Sequence, residues 1–334
     1  MRIIFLSIGV VLSLTITASF LITSWEGVYY TSAMEKRLPG RIVLGATEEL
    51  NALTDMSGLE RKNTFPENNS RTLVPITNDS VKNLTLDAKS GVAIDAVTEQ
   101  ELFAQVGDEI CPIASITKLI TALVFLENNP GWNNIYEITW DDFVSGGKIY
   151  LFRGDKVRLK DLFYLSLVAS DNSATLALVK STGLDTTSFV NKMNALVRGL
   201  GAVNTNFVDP IGLSDNNVST GNEIARLAKV AFSREEISAA TMSKKYEFET
   251  LGGRKKSVNN TDSLLEIFPQ NGIKILGGKT GYTAMAGYCF AGKFTDANGR
   301  EIISVVLGGK DIDTRFQETK KLVDWVFGNL NGSY

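Results

Sequence analysis

The chain is predicted to be an α+β protein, an antiparallel sheet with helices packed against it. Three observations predict this. Residues around Asn83–Ala96 alternate and turn like a pair of strands. The middle of the chain holds long apolar stretches with the length and spacing of helices. From Tyr246 onward strand patterns return, with Asp296-Ala297-Asn298-Gly299 as a hairpin turn and a last amphipathic helix.

In order, the chain opens with an uncharged run from Ile3 to Trp25, preceded only by Arg2. A bilayer-spanning helix needs about 20 apolar residues. Residues 1–26 are therefore expected to be a transmembrane signal-anchor or a signal peptide. The anchor is preferred: signal peptides have shorter apolar regions, and no clean cleavage site stands out apart from the small residues Ala18-Ser19. Either reading sends the rest of the chain across a membrane, and the positive-inside bias keeps Arg2 in the cytoplasm. Residues 27–80 lack periodicity and carry clusters such as Pro66-Glu67-Asn68-Asn69-Ser70. They read as a linker with one short helix near Thr47–Met56.

The globular domain is expected over residues 81–330. Asn83–Asp87 and Val92–Ala96 read as strands around the turn Lys89-Ser90-Gly91. Pro112 then precedes an apolar helix carrying Ser115 and Lys118, a favoured place for proline. Leu159–Gly183 reads as two core helices interrupted by the polar turn Ser170-Asp171-Asn172-Ser173. Asp185–Leu200 is amphipathic and stops at Gly201. Thr220-Gly221-Asn222-Glu223 is a capping-box pattern opening a helix through Phe232. Lys274–Gly281, Tyr288–Thr295 and Ile302–Leu307 are strands, and Asp313–Phe327 is the closing helix.

Composition narrows the chemistry. The chain has no histidine, which excludes a Ser-His-Asp triad, a His-paired cysteine and any His-ligated metal. Net charge is −3 and no basic block suggests nucleic acid. Two cysteines, Cys111 and Cys289, are too few for a disulfide framework. Separate buried thiols are preferred to a single bridge. A serine nucleophile here needs a base other than histidine, and lysine is the alternative. Ser115 and Lys118 lie three apart at the start of the run Leu119–Leu126. On a helix they share a face, and apolar surroundings lower a lysine's pKa.

Ser115-Ile116-Thr117-Lys118, Ser170-Asp171-Asn172 and Lys279-Thr280-Gly281 resemble, in order, the three motifs of the penicillin-binding protein and serine β-lactamase superfamily. The segments Leu86–Gly91, Pro112–Lys118, Asn206–Leu213, Gly278–Thr283 and Gly287–Cys289 are similar to the low-molecular-weight D-alanyl-D-alanine carboxypeptidases, the S11 peptidases. The resemblance covers about Asn83 to Leu330. It implies a β-lactamase/transpeptidase-like fold, with an antiparallel sheet flanked by helices and a helical subdomain. It also implies removal of the terminal D-Ala from peptidoglycan stem pentapeptides.

In that scheme Ser115 is acylated, Lys118 is its base, and Ser170 relays a proton to the leaving amine. Asn172 binds Lys118 and the substrate amide. Lys279, Thr280 and Gly281 face the substrate, and the N–H groups of Ser115 and Tyr282 hold the oxyanion. Such donors are worth about 3 kcal/mol each. Arg315, downstream of Gly308-Gly309, is the candidate for the terminal carboxylate. Its alternative reading is a solvated residue on the last helix. β-Lactams are implied as covalent inhibitors and no metal or cofactor is implied. The implied place is the bacterial cell envelope, with the domain outside an anchored plasma membrane.

Asp171 departs from these carboxypeptidases, which usually carry glycine or another small residue there. Ser-Asp-Asn is common in class A β-lactamases, but their Glu-x-x-x-Asn pattern is absent between Asn172 and Lys279. An endopeptidase cutting D-Ala–diaminopimelate cross-links, a class A-like β-lactamase and an inactive wall-binding protein remain as alternatives.

Overall fold

A computed structural model describes residues 84–144 and 147–331. The expected anchor and linker, with the short helix near Thr47–Met56, lie outside the described residues.

The central sheet has five strands in the order β2-β1-β11-β10-β9, all antiparallel. They are β1 (Ser90–Asp95), β2 (Glu101–Gln105), β9 (Lys274–Thr283), β10 (Gly287–Thr295) and β11 (Glu301–Gly309). Short pairs join β3 (Cys111–Pro112) to β6 (Val218–Ser219) and β4 (Ile135–Glu137) to β5 (Lys156–Arg158). A hairpin is formed by β7 (Lys245–Glu249) and β8 (Lys255–Asn259). The helices between β2 and β7 are α1 (Thr117–Glu127), α2 (Leu159–Val168), α3 (Asn172–Ser181), α4 (Thr186–Gly199), α5 (Gly221–Phe232) and α6 (Glu235–Met242). A short α7 (Leu264–Ile267) precedes β9, and α8 (Ile312–Asn331) closes the domain.

Two apolar clusters cover the two faces of the sheet. On one, Val92, Ile303 and Val305 pack with the residues of α1 to α6. On the other, Phe290, Phe294 and Ile302 pack with Leu322, Val323, Val326 and Phe327 of α8. This explains why β1 is buried along its whole length and reads as a nearly apolar run. Helix α1 is enclosed on all sides, with every residue from Thr117 to Phe125 buried. A helix apolar all round belongs in a core, so the residues at its N-terminus are held rigidly.

Two expectations change. The first hairpin is β1 with β2, and Leu84–Asp87 forms no strand. Gln105 takes the place of a partner strand there: its side chain accepts from Leu86 N at 2.8 Å and donates to the Leu86 and Ala88 carbonyls. Thr220 does cap α5. Glu223, however, turns away from the cap to accept from Asn204 and Thr205, tying α5 to the preceding loop. Cys111 and Cys289 are free thiols, and burial pushes them up to about 11 and about 12.

Candidate active site

Ser115 lies in a 3-10 turn, Ala114–Ile116, and α1 begins only at Thr117. Pro112 does not start the helix; it pairs with Val218 in a two-residue bridge. The turn matters because residues i and i+3 eclipse in 3-10 geometry. Lys118 Nζ lies 2.9 Å from Ser115 Oγ. It also donates to Asn172 Oδ1 at 2.7 Å and to the Ile211 carbonyl at 2.6 Å.

Lys118 is 0% exposed. Burial pulls its ammonium down to about 7, against the opposing charges of Asp171 and Asp209. Burial is thus the cause of the depression, as the apolar surroundings in the sequence imply. A neutral amine keeps two N–H groups and one lone pair. With Asn172 and Ile211 taking the two N–H groups, the lone pair is left facing the Ser115 hydroxyl. That is the arrangement of a base on a nucleophile.

The second motif sits in the turn between α2 and α3. Ser170 has φ +55°, a left-handed conformation unusual for a residue with a side chain. There its Oγ accepts from Lys279 Nζ at 2.8 Å. Asp171 is the N-cap of α3 and accepts from Ala174 N at 2.6 Å. It is buried, and burial raises its carboxyl to about 6. The departure noted in the sequence therefore serves the helix that presents Asn172.

The third motif lies on β9, an edge strand of the sheet. A Cβ on Gly281 would stand 2.9 Å from the Ile113 carbonyl and 3.2 Å from Ser115 N. Glycine is needed for the strand to pass the Ser115 turn this closely. Lys279 is buried, donating to Ser170 and to the Thr280 carbonyl at 2.9 Å. Burial, then the charges of Lys118 and Arg315, hold it well below an ordinary lysine. Thr280 Oγ1 lies 2.7 Å from Thr261 Oγ1. Tyr282 is 53% exposed and its ring lies 4.3 Å from that of Tyr288. Arg315 is 5% exposed rather than solvated, and its guanidinium reaches the Gly281 carbonyl at 3.2 Å. Ser115, Lys118, Asn172, Ser170, Lys279, Gly281 and Arg315 are thus linked through contacts into one site.

Three supporting residues were not singled out from the sequence. Asp209 accepts from the backbone N–H groups of Ile211, Gly212 and Ser214, fixing the loop that offers the Ile211 carbonyl to Lys118. Asn217 donates to Thr117 Oγ1 and to the Asp209 carbonyl, and accepts from Val208 N. Asp262 is buried against Gly278, and burial raises its carboxyl to about 7. A signal existed for the first: Asp209 is followed within five residues by Gly212 and Ser214, the pattern of an Asp-organised turn.

Residues 77–311 match the family model of the D-alanyl-D-alanine carboxypeptidases, the S11 peptidases. The chain belongs to this family. It is therefore a serine-type hydrolase of the D-Ala-D-Ala carboxypeptidase class, a penicillin-binding protein of the bacterial cell wall. Family relatives include a D-alanyl-D-alanine endopeptidase of Haemophilus influenzae, 35% identical over 60% of this chain and 68% of the relative. The D-alanyl-D-alanine carboxypeptidase DacF of Bacillus subtilis is 29% identical over 73% of this chain and 63% of its own. Among solved structures, the Streptomyces K15 DD-transpeptidase superposes with a TM-score of 0.69 at 27% identity, covering 74% of this chain and all of that one. The carboxypeptidase family thus accounts for the antiparallel sheet and its flanking helices. Among the described residues no cluster of side chains suited to a metal is present.

Proposed function

We propose that the protein removes the terminal D-Ala from peptidoglycan stem pentapeptides through an acyl-enzyme on Ser115. The observation that carries this is the buried Lys118 amine 2.9 Å from Ser115 Oγ, with two acceptors for its N–H groups. Lys118 takes the Ser115 proton as Oγ attacks the carbonyl of the penultimate D-Ala. The resulting oxyanion is held by the N–H groups of Ser115 and Tyr282. Ser170, polarised by Lys279, relays the proton held by Lys118 to the departing D-Ala amine as the C–N bond breaks, which leaves the acyl ester on Ser115, an intact Ser170 hydroxyl and a neutral Lys118. Water then attacks that ester and Lys118 again handles the proton. Asn172 binds the substrate amide, and Lys279, Thr280 and Arg315 receive the terminal carboxylate. β-Lactams acylate the same serine.

Residues 1–26 anchor the chain in the plasma membrane, and 27–80 give the domain at 81–330 reach into the wall. The uncharged run Ile3–Trp25 supports this.

The purified protein should release free D-Ala from a stem pentapeptide. A second reading is an endopeptidase, favoured by the 35% and 30% identity to relatives of that name. Conversion of cross-linked dimers to monomers without D-Ala release would establish the second reading and reject the first.

A further inference from the structure

Trp140 is the most exposed tryptophan among the described residues, 67% in solvent, and it is not on a loose segment. It starts a 3-10 turn, Trp140–Asp142, closed by a reciprocal cap between Thr139 and Asp142. Asp142 is fully buried and accepts from Tyr136 Oη at 3.0 Å, from Thr139 and from Lys180 Nζ at 2.8 Å. Lys180 also donates to the Asp141 carbonyl, which fastens the turn to the C-terminal end of α3. Side chains ordinarily hide an indole; here the scaffold holds one out. The Arg153 guanidinium lies 5.5 Å from the ring centroid. With Glu137 and Asp141 these residues line an open groove of about 650 Å³.

We propose that this groove binds the glycan strand of peptidoglycan while the stem peptide lies in the cleft. The proposal rests on the substrate reading above and extends it to the sugar part of the polymer. Its chemistry suits a neutral, hydroxyl-rich chain. An indole offers a flat apolar face for a sugar ring with little entropy lost, and its neighbours supply acceptors and donors for hydroxyl and N-acetyl groups. Glu137 is paired with Lys156, and Asp141 and Arg153 offset one another, so the groove carries little net charge, which favours a neutral chain over a phosphate-rich polymer.

The spacing agrees. Helix α3 has Asn172 of the cleft at its first residue and Lys180 near its last. Eight residues of helix rise about 12 Å. Four residues of a stem peptide, from the acylated carbonyl to the sugar, span at most about 14 Å when extended. The chain also links the two ends: a Cβ added to Gly147 would lie 3.9 Å from Asn172 Nδ2, and Arg153 follows six residues later.

The test uses the full-length protein and three probes: soluble pentapeptide, glycan strands bearing pentapeptides, and strands stripped of peptide. Trp140→Ala should leave hydrolysis of the soluble pentapeptide within twofold of the parent. It should raise KM on the polymer about tenfold, the effect of losing one aromatic anchor, and weaken binding of stripped strands as much. Arg153→Ala should act in the same direction and Trp140→Phe should restore most of the affinity. Equal KM on the polymer, an equal loss on both substrates, or unchanged binding of stripped strands would overturn the proposal. If the parent cleaves no pentapeptide, the catalytic reading fails, and stripped-strand binding by parent and Trp140→Ala still decides the groove.

Discussion

Lys118 has three hydrogen-bond partners and no contact with solvent. A charged ammonium is costly there, and its depression to about 7 follows from burial. The base must be neutral to accept a proton, so the neutral fraction grows as pH rises through about 7. Acylation by a labelled penicillin should therefore climb through that pH and level off above it. Asp171 opposes the depression, since its negative charge favours the ammonium. Asp171→Asn removes the charge, lowers the Lys118 pKa further and should move the rising limb to lower pH. A limb that moves upward, or does not move, contradicts this electrostatic account. Lys118→Ala should abolish labelling while cooperative thermal unfolding persists. It removes the donor to the Ile211 carbonyl, a cost of about 1–3 kcal/mol. Labelling at the parent rate would sink the serine–lysine mechanism.

Two close packings set the site at the scale of elements. Strand β9 passes the Ser115 turn at Gly281, and α3 starts on the Asp171 cap. Gly281→Ala forces the strand or the turn aside. Labelling should slow by about a hundredfold, the typical penalty for displacing a reacting group by an ångström. A labelling rate within a few-fold of the parent would show the close approach to be unimportant. Most of these elements were readable in the sequence, because apolar periodicity, the stop at Gly201 and the cap at Thr220 are local signals. The first hairpin was misread because Gln105, a side chain far along the sequence, satisfies the backbone near Leu86. Helix spacing brought Ser115 and Lys118 together correctly, although a 3-10 turn supplies the geometry. Ile211 was invisible for a different reason: its contribution is a carbonyl, and its position depends on Asp209 and Asn217. Arg315 left two readings open because burial on the last helix depends on the sheet it meets.

In the whole molecule, the two clusters on either side of the sheet make the domain self-contained, and the family match begins at residue 77. A fragment starting there should label with penicillin as fast as the full chain. The full chain should sediment with membranes and the fragment should not; a soluble full chain would refute the anchor. Labelling and D-Ala release both depend on one chemical event at Ser115, and intact-mass measurement reads it directly. The protein incubated with penicillin should gain the mass of one β-lactam, with the adduct mapped to the peptide containing Ser115, and Ser115→Ala should gain none. An adduct on another residue, or an unchanged mass for a protein that releases D-Ala, would contradict the account.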